Sequence, residues 1–207
     1  MLETAPRARS SPLLNGPPLL FRPSGGEQAA LVAVLSEQGC DALYQHGRPA
    51  LEARLEELVE GSEARRRWCL VGPAWSAESA ELERRLAIAL HAAHVPQRPT
   101  VLRESAHDGR HDYLLHVCER TAWFNGHFPG APVLPGVVQI DWAVHHGAAL
   151  GFSPRGFCGL ARLKFKSLIR PDAVLRLSLE PAGRDRLDFV YASRQTRHSE
   201  GSIRYAA

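Results

Sequence analysis

The fold is decided by residues 123 to 142, which read Trp123-Phe-Asn-Gly-His-Phe-Pro-Gly-Ala-Pro-Val-Leu-Pro-Gly-Val-Val-Gln-Ile-Asp-Trp142. Prolines and glycines interrupt residues 127 to 134, so this part must be an irregular, locally stiff loop. From Gly136 to Leu150 the chain is largely apolar and has no proline, and Pro135 stands where a proline opening a helix belongs. We therefore predict a loop followed by a buried helix.

Two ionisable side chains, His127 and Asp141, frame this loop and helix. Burial in an apolar helix raises the pKa of a carboxyl group, which suits a general acid, while a neutral imidazole suits a general base. Between them, the backbone N–H of Gly136 at the helix N-terminus can polarise a carbonyl oxygen. The stretch therefore predicts an active site with His127 as base, Asp141 as acid and Gly136 as oxyanion donor.

The pattern His-Phe-Pro-Gly-x-Pro-x-x-Pro-Gly, followed by an acid at Asp141, resembles the β-hydroxyacyl-[acyl carrier protein] dehydratases of the hot-dog fold. Its opening is similar to the branch that uses glutamate as acid, whereas the aspartate is similar to the branch that also isomerises the double bond. The run from Leu134 to Trp142 resembles the dehydratase-like domains of aryl-polyene and xanthomonadin-type pigment clusters. The resemblance covers about residues 97 to 207.

This resemblance implies an activity, the dehydration of 3-hydroxyacyl thioesters to trans-2-enoyl thioesters. The substrate would be carried on the phosphopantetheine of an acyl carrier protein, and no cofactor or metal would be needed. It also implies a homodimer in which each site combines catalytic side chains from both subunits. The substrate-binding positions that it implies are Phe128, Gly130, Val133, Pro135 and His145.

His145 is a departure from the family pattern, because those dehydratases usually have a glutamine there that holds the acid's carboxyl group. Residues four apart share one side of a helix, so His145 either takes over that hydrogen bond or, if protonated, lowers the pKa of Asp141. Two rival functions also stay open. One is a hot-dog thioesterase, in which a carboxylate activates water, and the other is a non-catalytic module of a biosynthetic cluster.

Composition is that of an ordinary globular protein, with 44% hydrophobic and 23% charged residues and a net charge of +3. This small excess of arginine does not indicate a nucleic-acid-binding protein. The four cysteines are too scattered to support a zinc site or a disulfide framework. Residues 13 to 22 are too interrupted by proline and glycine for a membrane span or signal peptide, so we expect a cytoplasmic protein.

The N-terminal half predicts a small α+β unit over residues 27 to 95, preceded by a disordered leader over residues 1 to 26. Its apolar runs predict, in order, a strand at 29–35, a helix at 49–60, a strand at 67–71 and a helix at 78–93. Pro96 to Pro99 reads as a linker.

This half resembles the small C-terminal lobe of adenylate-forming acyl ligases, through Leu31 to Ser36, the helix around Leu51 to Leu58, and Arg66 to Val71 followed by Pro73. That lobe normally presents a lysine that reaches the adenylate. The matching stretch here, Ser76 to Ala80, contains no lysine. We interpret the unit as a degenerate remnant of such a lobe, without adenylation activity.

Residues 97 to 207 predict the hot-dog plan, a curved antiparallel sheet wrapped around a helix. Asp108-Gly109 is a strong hairpin signal between strands at 100–105 and 112–118. Four strand candidates follow the helix, at 157–168, 173–179, 187–193 and 199–205. In the first of these, Arg162, Lys164 and Lys166 form a basic stripe that is either a solvent face or a docking strip for an acidic acyl carrier protein.

Overall fold

The computed structural model describes residues 1–5, 7–23, 28–60, 67–75, 80–91 and 94–206. The chain divides into two compact units, Met1–Val95 and Pro96–Ala207. Each unit has its own cluster of buried apolar side chains. None of the helices in these ranges is long and apolar enough to cross a membrane.

The first unit is built on a four-stranded sheet with strand order β1-β2-β3-β4. The strands are β1 (Leu2–Thr4), β2 (Leu19–Phe21), β3 (Ala30–Val34) and β4 (Arg67–Val71). The β3–β4 pair is parallel and the other two pairs are antiparallel. Its helices are α1 (Glu37–His46), α2 (Arg48–Glu56) and α3 (Ala80–Leu90).

The predicted disordered leader is wrong for the described part of residues 1 to 26. Strand β2 extends the sheet by pairing with β3, and the side chain of Phe21 is only 2% exposed. Composition misled here because a three-residue strand is stabilised by its partner strand and not by its own sequence pattern.

Helix α1 was not among the elements predicted from the sequence. Ser36 caps this helix by accepting a hydrogen bond from the Gly39 N–H at 3.1 Å. A Cβ atom at Gly39 would collide with the backbone oxygen of Leu13, so glycine is required for close packing inside the helix. The stretch Ser76 to Ala80, which matches the lysine-bearing loop of the ligase lobe, lies outside the described residues except for Ala80.

The second unit is a six-stranded antiparallel sheet with strand order β5-β6-β8-β9-β10-β7 and one long helix, α4. The elements are β5 (Thr100–His107), β6 (Arg110–Val117), α4 (Gly136–Gly147), β7 (Phe157–Phe165), β8 (Ala173–Pro181), β9 (Arg186–Ala192) and β10 (Arg197–Tyr205). The predicted order of two strands, one helix and four strands is confirmed. Asp108 and Gly109 both have positive φ, 50° and 77°, as a type I′ hairpin turn requires.

The core of this unit lies between α4 and the concave side of the sheet. Trp142 and Ala143 on the inner side of α4 are fully buried, in one cluster with Leu177, Leu187 and Ile203 of the sheet. Burying a large apolar side chain stabilises the fold by about 1.5–3 kcal/mol. A sheet that wraps one face of a single buried helix is the hot-dog architecture, and it places the loop before α4 at the helix N-terminus.

Candidate active site

The loop before α4 is shaped by a tight turn over residues 128 to 131. Pro129 occupies the second position of the turn and Gly130 the third, with φ of 76°. The Ala131 N–H donates to the Phe128 carbonyl at 3.1 Å. This is the arrangement of a type II turn, in which glycine supplies the positive φ. Gly130, predicted as a substrate-binding residue, therefore has a clear structural role.

His127 directly precedes this turn and is half-buried. Its ring stacks on that of Phe128, with 4.3 Å between the ring centroids. Its Nδ1 atom lies 3.2 Å from the carbonyl oxygen of Val133. A carbonyl oxygen only accepts hydrogen bonds, so Nδ1 must carry the proton. The lone pair of the neutral imidazole is then on Nε2, which is the state that a general base needs.

A buried polar network supports the same loop from behind. The Leu134 N–H donates to the Ile169 carbonyl at 2.9 Å, and Gln139 Nε2 donates to the Leu134 carbonyl at 3.3 Å. The Ser199 hydroxyl donates to Gln139 Oε1 at 2.6 Å, and the Tyr191 hydroxyl donates to the Gln139 carbonyl at 3.0 Å. These residues were not predicted as part of the site, although a glutamine in an apolar helix was an available signal.

Gly136 is the first residue of α4, where backbone N–H groups have no acceptor within the helix. A Cβ atom at this position would lie 2.5 Å from the Phe165 ring. Pro135 precedes the helix at the capping position with an extended backbone, as the sequence indicated. The backbone N–H of Gly136 can therefore donate to a carbonyl oxygen placed at the helix N-terminus.

Asp141 is not buried in the single chain, so that prediction is wrong. Its side chain is 58% exposed, and Arg98 Nη1 donates to its Oδ2 atom at 3.3 Å. The physical reason is the helical period, which places Val137, Asp141 and His145 in one stripe that faces away from the sheet. An apolar helix such as α4 can therefore be buried on one side by its own sheet and still be exposed on another side.

Arg98 also belongs to the site, through its contact with Asp141, although its segment was predicted to be a linker. Its neighbour Gln97 is fixed on the same segment, since the Gln97 carbonyl accepts from Trp123 Nε1 at 2.7 Å and from Trp142 Nε1 at 3.1 Å. Two neighbouring residues of this segment thus bind two neighbouring residues of α4. Gln97 binds Trp142, and Arg98 binds Asp141. The structure does not bring His127 and Asp141 of one chain into hydrogen-bond contact, as far as the described residues go.

Two histidines of α4 have lowered pKa values. Burial lowers the pKa of His145, the positive charge of Arg98 lowers it further, and the Asp141 carboxylate partly opposes this. His145 is therefore neutral near pH 7, which argues against the alternative in which it is protonated. Burial, followed by the charges of His145 and Arg98, lowers the pKa of His146 to about 4.

The other predicted positions are spread over the surface and interior. Val133 is buried, Pro135 is half-buried, and Phe128 and His145 are exposed. Within the described ranges, no three His, Cys, Asp or Glu side chains are grouped so that they could hold a metal ion.

The basic residues of β7 do not form the regular stripe that was predicted. A β-bulge shifts the register between β10 and β7, and Arg162 has a positive φ of 54° there. Lys166 follows the end of β7 and binds Glu200 through an ion pair of 2.7 Å. All three basic side chains are exposed, but strict alternation with apolar residues is interrupted.

The hot-dog sheet, the glycine that begins α4 and the histidine whose Nδ1 is bound by a backbone carbonyl are the features that the resemblance to hot-dog dehydratases predicts. The sequence model of the ApeI-like family, described as ApeI dehydratase, matches residues 103–202. Residues 103–202 are therefore similar to this dehydratase family, and the resemblance found in the loop and helix is confirmed.

Individual curated relatives are similar to part of the chain. The chain is 33% identical over 75 residues to 3-hydroxyacyl-[acyl-carrier-protein] dehydratase FabZ of Syntrophobacter fumaroxidans, covering 32% of this chain and 51% of that protein. It is 40% identical over 72 residues to the FabZ of Clostridium botulinum strain Loch Maree, covering 31% and 50%. The chain thus spans about half the length of the curated relatives it matches.

Among solved structures, the dehydratase heterocomplex ApeI:P from Xenorhabdus doucetiae is 29% identical, with a TM-score of 0.48. The alignment covers 53% of this chain and 99% of that one.

Proposed function

We propose that this protein dehydrates 3-hydroxyacyl thioesters, carried on the phosphopantetheine of an acyl carrier protein, to trans-2-enoyl thioesters. The observation that carries the proposal is the His127 imidazole, whose Nδ1 is held by the Val133 carbonyl so that Nε2 is free to accept a proton. The match of residues 103–202 to the model of the ApeI-like dehydratase family supports the same reaction class. An aryl-polyene or fatty-acid pathway would supply such substrates.

The proposed reaction is an α,β-elimination. His127 Nε2 removes the proton on C2, which is acidic because of the neighbouring thioester carbonyl. The Gly136 N–H stabilises the negative charge on that carbonyl oxygen. Asp141 gives its proton to the C3 hydroxyl, the C3–O bond breaks, and water leaves as the C2–C3 double bond forms. These proton transfers require no redox cofactor and no metal.

The proposal includes a homodimer, because the acid side of the site is open in one chain. The stripe of Val137, Asp141 and His145 on α4 is exposed, and Val137 alone is 71% exposed. Strand β7 forms an edge of the sheet and carries the exposed apolar side chains Phe157, Leu160 and Phe165. The exposed apolar edge of β7 and the exposed stripe of α4 both support pairing with a second copy of the chain, which would complete the active site.

The carrier protein is the second proposed partner. Acyl carriers of this type are acidic, and Arg162 and Lys164 are exposed on β7, the strand whose Phe165 ring packs against Gly136 at the start of α4. Lys166 contributes less, because Glu200 already neutralises its charge. Charge complementarity of this kind mainly increases the encounter rate.

The test compares wild type with His127→Ala on a 3-hydroxyacyl carrier-protein thioester, followed by ultraviolet absorbance and mass. We expect enoyl absorbance with loss of one water in the wild type, and a decrease of several powers of ten in His127→Ala. His111→Ala, a half-buried histidine on β6, is the matched control and should keep wild-type activity. Release of free thiol would indicate a thioesterase instead, and unchanged substrate across several chain lengths would indicate a non-catalytic module.

A further inference from the structure

We propose that Gln139 and Ser199 are positioning residues, which hold the His127 imidazole in its reactive orientation and tautomer through the Val133–Leu134 peptide group. This inference rests on the proposed role of His127 as base. It assigns a function to two polar side chains that touch no substrate position.

The Val133–Leu134 peptide group links the imidazole to the rest of the domain. A peptide group is planar, so its C=O and N–H move together. Its C=O accepts from His127 Nδ1 at 3.2 Å, and its N–H donates to the Ile169 carbonyl at 2.9 Å. A tilt of this plane would therefore move the atom that fixes the His127 tautomer.

The next carbonyl, that of Leu134, is held by the Gln139 amide at 3.3 Å. Gln139 is only 3% exposed, and both ends of its amide are used, since Oε1 accepts from the Ser199 hydroxyl at 2.6 Å. The two contacts together decide which end of the amide is the donor, because the Leu134 carbonyl can only accept. Ser199 thus prevents the amide from turning over and presenting its oxygen to the loop.

The far end of this network is anchored in rigid structure. Ser199 is fully buried on β10, which is paired with β7 on one side and β9 on the other. Tyr191 on β9 donates to the backbone carbonyl of Gln139 and so fixes the first turn of α4. Tyr191 and Ser199 of the sheet therefore both hold Gln139 of the helix, which binds the loop carbonyl next to the peptide group that holds His127. This is the arrangement expected for a positioned catalytic group.

The test uses Ser199→Ala with Ser202→Ala as its matched control. Both serines are buried on β10, and each donates one hydrogen bond of 2.6 Å, Ser202 to Asp188 and Ser199 to Gln139. Removing either hydroxyl should lower the melting temperature similarly. Only Ser199→Ala should lower kcat, by about tenfold, with KM within about twofold of wild type, because the base and not substrate binding is disturbed.

A readout that does not need turnover is the imidazole ¹⁵N spectrum of His127, assigned by its absence in His127→Ala. We expect one tautomer, with the proton on Nδ1, in wild type and in Ser202→Ala, and a mixture of tautomers in Ser199→Ala. Gln139→Met, which keeps length without an amide, should give the same mixture. An unchanged tautomer in both Ser199→Ala and Gln139→Met, or an equal loss of kcat in Ser202→Ala, would overturn the inference. If wild type forms no enoyl product, the proposed function fails, while the tautomer still decides whether the network positions His127.

Discussion

The two sides of the candidate site differ in how far one chain completes them. His127 is held by the Val133 carbonyl, and a buried network of hydrogen bonds from β9, β10 and α4 binds the next carbonyl of the loop, that of Leu134. Asp141 lies on an exposed stripe of α4, and its hydrogen bond comes from Arg98, which is itself 45% exposed. The proposed base is thus preorganised within one chain, whereas the proposed acid faces outward.

The difference also has an energetic side. A buried hydrogen bond is costly to break, because leaving its partner buried and unsatisfied destabilises the fold by about 1–3 kcal/mol. An ion pair exposed to solvent contributes only about 0–1 kcal/mol. Substitutions around His127 should therefore affect both folding and catalysis, whereas substitutions around Asp141 should affect catalysis alone.

The strongest test of this difference is Asp141→Asn. We expect dehydration to fall by about 10²–10⁴-fold, because the amide cannot donate the proton that the leaving hydroxyl needs. The melting temperature should stay within about 2 °C of wild type, since asparagine has nearly the size and shape of aspartate and the ion pair with Arg98 is weak. Asp188→Asn, which disturbs the comparable Arg186–Asp188 pair of 3.4 Å, is the control and should keep full activity. An Asp141→Asn protein with near wild-type turnover would remove Asp141 from the mechanism.

Mixed dimers sharpen the same test. If His127 of one subunit works with Asp141 of the other, then a dimer of one His127→Ala and one Asp141→Asn chain contains one intact site and one doubly altered site. After unfolding and refolding an equal mixture of the two inactive variants, about one quarter of wild-type activity should return. No recovery from a mixture that forms dimers would show that both side chains of a site come from one chain.

The surroundings of His127 were more predictable from the sequence than those of Asp141. Prolines, glycines and the Asp108-Gly109 turn restrict the backbone locally, so the loop, the start of α4 and the hairpin could be inferred residue by residue. The identities of His127, Asp141 and Gly136 as candidates followed from the same stretch. Their predicted roles remain to be tested by the variants described above.

The missed features all depend on partners that are distant in sequence. Ser199 is sixty positions from Gln139, and Arg98 is 43 positions from Asp141. Strand β2 is likewise stabilised by β3 and not by its own composition. The exposure of Asp141 was missed for a related reason, since an apolar helix pattern does not distinguish contact with the sheet from contact with another chain.

His146 offers a test of the buried side of α4, opposite the stripe that carries Asp141. Its ring packs on Tyr113 at 4.4 Å, and burial lowers its pKa to about 4 from an ordinary value of 6.5. The folded protein therefore binds fewer protons than the unfolded chain between these values. Stability from this group is complete above about pH 6.5 and is lost as the pH falls towards 4. We expect wild type to lose about 2 kcal/mol more than His146→Gln between pH 7 and pH 4.

Urea unfolding at both pH values measures this difference. His145 and His198, whose pKa values burial also lowers, remain in both proteins, so the comparison isolates His146. Equal losses in wild type and His146→Gln would show that His146 is not held neutral by burial, and the contrast between the two sides of α4 would be smaller than the structure indicates.

The smallest expected effect is that of Arg98→Ala. A carboxyl group that has given up its proton is a carboxylate, and the Arg98 guanidinium at 3.3 Å stabilises and orients that state. We expect kcat/KM to fall about three- to tenfold, with little change in melting temperature because both side chains are exposed. The Gln97 carbonyl still binds both indoles in this variant, so the segment keeps its place. Arg186→Ala removes a similar exposed pair on β9 and should leave kcat/KM unchanged, whereas Arg98→Lys should recover part of the loss, because a lysine supplies the charge without the planar donor pair. If Arg98→Ala matches wild type, the ion pair belongs to the surface and Asp141 is positioned by the second subunit alone, which would widen the difference between the two sides of the site.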